Sequence, residues 1–154
     1  ETDALKFKFQ ANKYGPYSHN LTKLLDSLDG SYLRCDKRLA DADPLDLIWF
    51  NDAKYDRVQA YLNSGEGKQF SSVLEWASAT IDGFESPLGM ELLATVDWMM
   101  QHEDIEPTVD GVMEGLKSWA GGEAAGQRKL KIFDRRLVAI ALGQLQTSNS
   151  LPAR

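Results

Sequence analysis

The chain is poor in groups that carry chemistry. Its one cysteine, Cys35, rules out an internal disulfide and suits a reducing compartment. His19 and His102 are the only histidines, and with Cys35 they are too scattered in sequence for a zinc site. No metal and no cofactor is expected. Long apolar runs are missing as well: the longest, Leu137 to Leu142, is six residues, where a membrane-spanning helix needs about 20. No basic-then-apolar leader opens the sequence. A soluble, cytoplasmic protein with no membrane partner is expected.

Positive charge is absent over a long interval. No Lys or Arg lies between Lys68 and Lys117, and the interval holds ten acids: Glu75, Asp82, Glu85, Glu91, Asp97, Glu103, Asp104, Glu106, Asp110 and Glu114. The whole chain carries −6, so everything outside this block sums to +4. The counterweight lies late in the chain, in Arg128, Lys129, Lys131, Arg135 and Arg136. Such a field repels nucleic acid from the middle of the chain and attracts a basic partner. The plainer reading is that these acids coat solvent-facing helix surfaces.

What is present suits a core. Hydrophobic residues make up 43% of the 154 residues, including four Trp, five Tyr and six Phe. This length suits one domain, expected over residues 1–147 with a frayed tail at 148–154. Leu5, Phe7 and Phe9 alternate with polar residues as in a half-buried strand. Asn12 to Pro16 turns the chain into a helix over about Tyr17–Asp29, striped by Leu21, Leu24, Leu25 and Leu28. Ser31–Cys35 is short and strand-like, Asp36–Asp46 a polar loop, and Leu45, Leu47, Ile48, Trp49 and Phe50 suggest a buried strand or an anchored extended segment.

From Asn51 the pattern is helical. Helices are expected over about Asn51–Asn63, Gln69–Ile81, Ser86–Gln101, Thr108–Trp119 and from Asp134 to about Thr147. Their inward residues read as Tyr55, Val58 and Leu62; Phe70, Val73, Leu74, Ala77 and Ile81; Leu88, Leu92, Leu93, Val96 and Met99; Val109, Val112, Met113 and Leu116; Leu137, Ile140, Ala141 and Leu145. Ser86 is the cap with Pro87 at the first helical position. Gly65 with Gly67, and Gly121, Gly122 with Gly126, read as interruptions. The fold class expected is mainly α (α+β): a single domain of about six helices with a small N-terminal β element.

No constellation demands an active site. Cys35 lacks a neighbouring His and reads as a core thiol. Gly121-Gly122 with Gly126 has neither the Lys-Ser/Thr of a phosphate loop nor the dinucleotide fingerprint. Acid pairs such as Asp82 with Glu85, or Glu103 with Asp104, are common at helix ends. The chain reads as non-enzymatic.

Two stretches are more specific than foldability requires: Lys13-Tyr14-Gly15-Pro16-Tyr17-Ser18-His19-Asn20-Leu21, and Ile81-Asp82-Gly83-Phe84-Glu85-Ser86-Pro87-Leu88-Gly89-Met90-Glu91-Leu92-Leu93-Ala94-Thr95-Val96. The first reads as a locked strand-to-helix corner, or as an exposed aromatic patch with His19 and Asn20. The second reads as a stop, a cap and a tightly packed helix, with Gly89 tolerated for close backbone approach. Together they resemble the C-terminal region of the DarG antitoxins, the DNA ADP-ribosyl glycohydrolase antitoxins of DarTG toxin–antitoxin systems. The resemblance implies a fragment without the family's catalytic macrodomain, whose work is to hold a DarT-type DNA ADP-ribosyltransferase toxin. It implies no small-molecule ligand and no direct nucleic-acid contact.

Members of the DarT family modify thymidine in single-stranded DNA, so their groove is expected to be basic and aromatic-lined. An acidic domain could occupy it as a DNA mimic, carboxylates replacing phosphates. The candidate contact residues are Tyr14, Tyr17, Asn20, Asp82, Phe84, Glu85, Met90, Glu91, Asp97, Glu103, Asp104 and Glu106. An alternative is a nucleic-acid-binding or autoregulatory module using residues 128–136, where five cations fall within nine residues. A hydrolase built on clustered carboxylates is the third reading.

Overall fold

Side-chain caps and glycine turns divide the chain into short helices, and the structure is mainly α with two small two-stranded sheets. The computed structural model describes residues 7–43 and 46–149. These fall into two compact units, one of Phe7, Lys8 and Ser18–Ser72, the other of Phe9–Tyr17 and everything from Val73 onward.

In the first unit, α1 (His19–Leu28) precedes β3 (Leu33–Arg34), which pairs antiparallel with β4 (Trp49–Phe50) in the register Leu33 to Phe50 and Arg34 to Trp49. Asn51 locks this pairing. Its backbone N–H donates to the Tyr32 carbonyl at 2.9 Å and its amide to the Ser31 carbonyl at 2.7 Å. The same side chain accepts from the Ala53 N–H at 3.3 Å, capping a 3₁₀ turn (Asp52–Lys54) that leads into α2 (Tyr55–Leu62). Gly65 and Gly67, expected to break the chain, instead form the short α3 (Gly65–Lys68). Ser64 caps it, and a Cβ on Gly67 would lie 2.0 Å from the Tyr61 carbonyl oxygen.

Packing here is light: Leu39 is the one buried hydrophobic side chain among the unit's described residues. The segment expected to be buried is open, with Leu47 80% exposed and Ile48, Trp49 and Phe50 exposed too. A two-stranded ribbon with little laid over it cannot bury both of its faces. Tyr55, expected inward, is also exposed. Leu45 lies outside the described residues.

The second unit starts with a hairpin. β1 (Gln10–Asn12) and β2 (Gly15–Tyr17) pair antiparallel around the two-residue turn Lys13–Tyr14, with Gly15 at φ +124°. The expected strand over Phe7 and Phe9 thus starts later, and Gly-Pro-Tyr is itself a strand rather than a corner; Leu5 lies outside the described residues. The Trp119 indole donates to the Asn12 carbonyl at 3.0 Å and ties the hairpin down.

Helices then follow: α4 (Ser71–Ile81), α5 (Pro87–His102), α6 (Val109–Gly115), α7 (Glu123–Ile132) and α8 (Arg135–Asn149). Ser86 and Thr108 cap α5 and α6 by accepting from the Gly89 and Gly111 N–H groups at 3.0 and 3.1 Å. Asp134 does the same for Leu137 at 2.8 Å, at the start of α8.

The core forms where α5 and α8 pack together with the α6 region. Leu92, Val96 and Met99 meet Val138, Ala141, Leu142 and Leu145, closed by Val112, Leu116, Trp119 and Phe133. Each fully buried side chain of this size contributes about 1.5–3 kcal/mol.

Three expectations change in this unit. The glycine-rich interruption is the start of α7, and Gly126 lies inside that helix because a Cβ there would sit 2.4 Å from the Leu116 carbonyl oxygen. With α3, this makes eight α-helices among the described residues rather than about six. Val73, Leu74 and Ile81 on α4, Leu88 on α5 and Ile140 on α8 are exposed rather than inward, while Val138 and Leu142 take the inward places on α8. An unbroken apolar run leaves helix phase open, and packing chooses it. Finally, α8 continues past Thr147 to Asn149 with Ser148 buried; residues 150–154 lie outside the described residues.

Candidate functional site

Residues 13–17 of the first specific stretch and the whole of the second lie in the second unit. β2 packs against α5, and a Cβ on Gly15 would touch Thr95 Oγ1 at 3.6 Å. Beneath the hairpin lies a buried ion cluster. Glu91 Oε1, from α5, accepts from Arg128 Nη1 at 2.5 Å and from Lys129 Nζ at 2.7 Å, both from α7. Lys129 Nζ also donates to Thr95 Oγ1 at 3.1 Å. The Arg128 guanidinium lies 4.9 Å from the centre of the Tyr14 ring, and Lys129 Nζ lies 5.2 and 5.4 Å from the rings of Trp119 and Phe133.

The Lys129 side chain is wholly buried and that of Glu91 is 8% exposed. Burial pulls the Lys129 ammonium below its ordinary pKa, against the opposing pull of Glu91. The hydrogen bond to Glu91 holds the Arg128 pKa above its usual value. Glu91 is therefore committed inside the chain, and Phe84 is buried as well. Gly89 has an internal cause too: a Cβ there would lie 2.7 Å from the Phe84 carbonyl oxygen.

No family model matches the chain. The sequence is 26% identical over 144 residues to the DNA ADP-ribosyl glycohydrolase of Thermus aquaticus, covering 94% of this chain and 34% of that protein. It is 25% identical over 146 residues to the DNA ADP-ribosyl glycohydrolases of Mycobacterium bovis and Mycobacterium tuberculosis, covering 92% of this chain and 39% of each. The chain is similar to these proteins over nearly its whole length. It spans 34–39% of the length of the curated relatives it matches.

The other candidate residues are spread more widely. Tyr14 and Tyr17 on the hairpin are exposed, as are Asp82 and Glu85 before α5, Met90 on it, and Asp104 and Glu106 after it. Asn20 is exposed on α1, in the first unit. Asp97 is half-buried on α5, where burial raises its carboxyl pKa against a Gln101 hydrogen bond and the charge of His102. Glu103 follows the C-terminal end of α5, where the helix dipole disfavours an anion. Burial raises its pKa against a hydrogen bond from the Ala120 backbone, and its Oε1 is buried without a hydrogen-bond partner among the described residues.

The basic segment 128–136 is not one open patch. Lys129 is buried, Arg128 is bound to Glu91, and Arg135 pairs with Asp110 at 2.7 Å. Lys131 and Arg136 are exposed. Sequence reasoning missed the Glu91–Arg128–Lys129 cluster. The available signal was helical spacing: Lys129 falls four residues from both Ala125 and Phe133 and so shares their inward face. Among the described residues, no three His, Cys, Asp or Glu side chains gather as a metal site, and no helix is long and apolar enough to cross a membrane.

Proposed function

We propose that this chain is an antitoxin domain that binds and inhibits a DNA ADP-ribosyltransferase toxin of the DarT type in the cytoplasm, without catalysis of its own. The similarity to DNA ADP-ribosyl glycohydrolases over 92–94% of the chain supports an antitoxin-related role. The resemblance of residues 81–96 to the C-terminal region of DarG antitoxins supports the toxin-holding part of this reading. The observation that carries the reading is the exposed acids Asp82, Glu85, Asp104 and Glu106, at the two ends of α5 in a stretch without Lys or Arg. Carboxylates so presented suit the arginines and lysines of a groove made for a single DNA strand. The internal cluster of Glu91 with Lys129 and Arg128 ties α5 to α7 and, through the Tyr14 ring, to the hairpin.

Calorimetric titration of a catalytically inactive DarT-type toxin tests this. Expected is tight binding that weakens with salt and is competed by single-stranded DNA. Asp82→Lys with Glu85→Lys should slow association and lower affinity about tenfold. Absence of binding by the folded domain would sink the reading, and binding indifferent to DNA would remove mimicry from it.

A further inference from the structure

The outer face of α5 carries two apolar hollows that share one wall. The first, about 200 Å³, lies between α4 and α5, with Trp76, Ile81, Met90, Leu93 and Leu145 in its lining. The second, about 240 Å³, lies under the hairpin and is lined by Phe9, Pro16, Trp98 and His102. Ala94 and Asp97 line both. Asp97 is thus a half-buried carboxylate standing between two greasy depressions. Within the chain it has Gln101 and His102 for support. No Lys or Arg forms an ion pair with it among the described residues. A carboxylate partly stripped of water without a cation costs the free domain stability. In the lining of the first hollow, Trp76, Ile81 and Met90 are each 36–40% exposed. Tryptophan and methionine are enriched where proteins meet.

We infer that this face docks a protein partner presenting an arginine or lysine between apolar side chains, the cation seated on Asp97 and its neighbours in the two hollows. Charge selects the occupant. The interval between Lys68 and Lys117 supplies most of both hollows and holds no Lys or Arg, and no described Lys or Arg pairs with Asp97, so a countercharge is left for a partner to supply. A cation on Asp97 would form a charge-assisted hydrogen bond in a site the hollows keep dry. The inference rests on the reading that this domain works by holding a protein, and it names a contact separate from DNA mimicry.

Two probes are titrated against wild type and Asp97→Asn: a fluorescein-labelled helical peptide with leucines roughly a heptad apart and an arginine midway, and the inactive toxin. Expected is at least a tenfold loss of affinity for one or both probes on Asp97→Asn, with the variant's thermal stability unchanged or raised. That opposition separates a binding residue from a structural one. Equal binding of both variants, or no binding of either probe, overturns the inference. So does self-association of the wild type that Asp97→Asn abolishes, which would seat a second copy here. A toxin that fails to bind while the peptide binds in an Asp97-dependent way defeats the antitoxin reading alone. Toxin binding indifferent to Asp97, with a silent peptide, defeats this inference alone.

Discussion

Lys129 has no exposed side-chain atoms, yet it carries an ammonium whose only ionic partner among the described residues is Glu91. Removing that partner should be costly in a particular way. Glu91→Leu leaves the ammonium buried without a countercharge, a loss of about 3–5 kcal/mol in similar cases. Lys129→Met leaves Glu91 still bound to Arg128 and should cost less. The double variant, apolar at both positions, should recover much of the single Glu91→Leu loss. Urea unfolding of the four proteins measures the coupling, and strict additivity would show that the pair contributes nothing jointly. The aromatic walls, Trp119 and Phe133, give the ammonium a partial substitute for water in either case.

At the scale of elements, two helical glycines should respond in opposite ways. Gly126 in α7 faces the Leu116 carbonyl oxygen at 2.4 Å from its would-be Cβ, whereas Gly143 in α8 has nothing within 4 Å. Gly126→Ala should destabilise by about 1–3 kcal/mol, since α7 must move off the turn beneath it. Gly143→Ala should stabilise by about 0.5–1 kcal/mol through helix propensity alone. Thermal melts of both variants check the contrast. If they shift in the same direction, the close α7 approach is wrong. The cap at Ser86 and the helix starts at Thr108 and Asp134 were legible beforehand because each needs only a short polar side chain before an apolar period. α7 was not legible, because Gly121, Gly122 and Gly126 read as breakers until a neighbouring backbone is known to lie close.

For the whole molecule, acid–base linkage supplies the test. Burial raises the pKa values of Asp97 and Glu103, so the folded state holds their protons at pH values where the unfolded chain has released them. Each raised carboxyl therefore favours folding below the ordinary carboxylate range, and that contribution is lost as pH rises through its raised pKa. Asparagine resembles the protonated acid. The melting temperatures of Asp97→Asn and wild type should thus converge in acid and separate toward neutrality, the variant being the more stable. A gap that is constant with pH would place Asp97 in ordinary solvent. The same desolvated carboxylate is a disadvantage for the free domain and an advantage once a cation covers it.

Local chemistry was readable from the sequence alone: the Ser86 cap, the helices α2, α4, α5, α6 and α8, the mainly α class, and a stretch of ten acids without Lys or Arg. These depend on neighbours a few residues apart, and periodicity records them. Tertiary structure decided which charges remain available. Glu91 and Glu85 look alike in sequence, but one lies under a hairpin on two cations and the other faces solvent. Lys129 looked like part of a basic patch and proved to be core. Whether a charge is buried depends on which helix arrives from some 37 residues away, and nothing in the adjacent residues encodes that arrival.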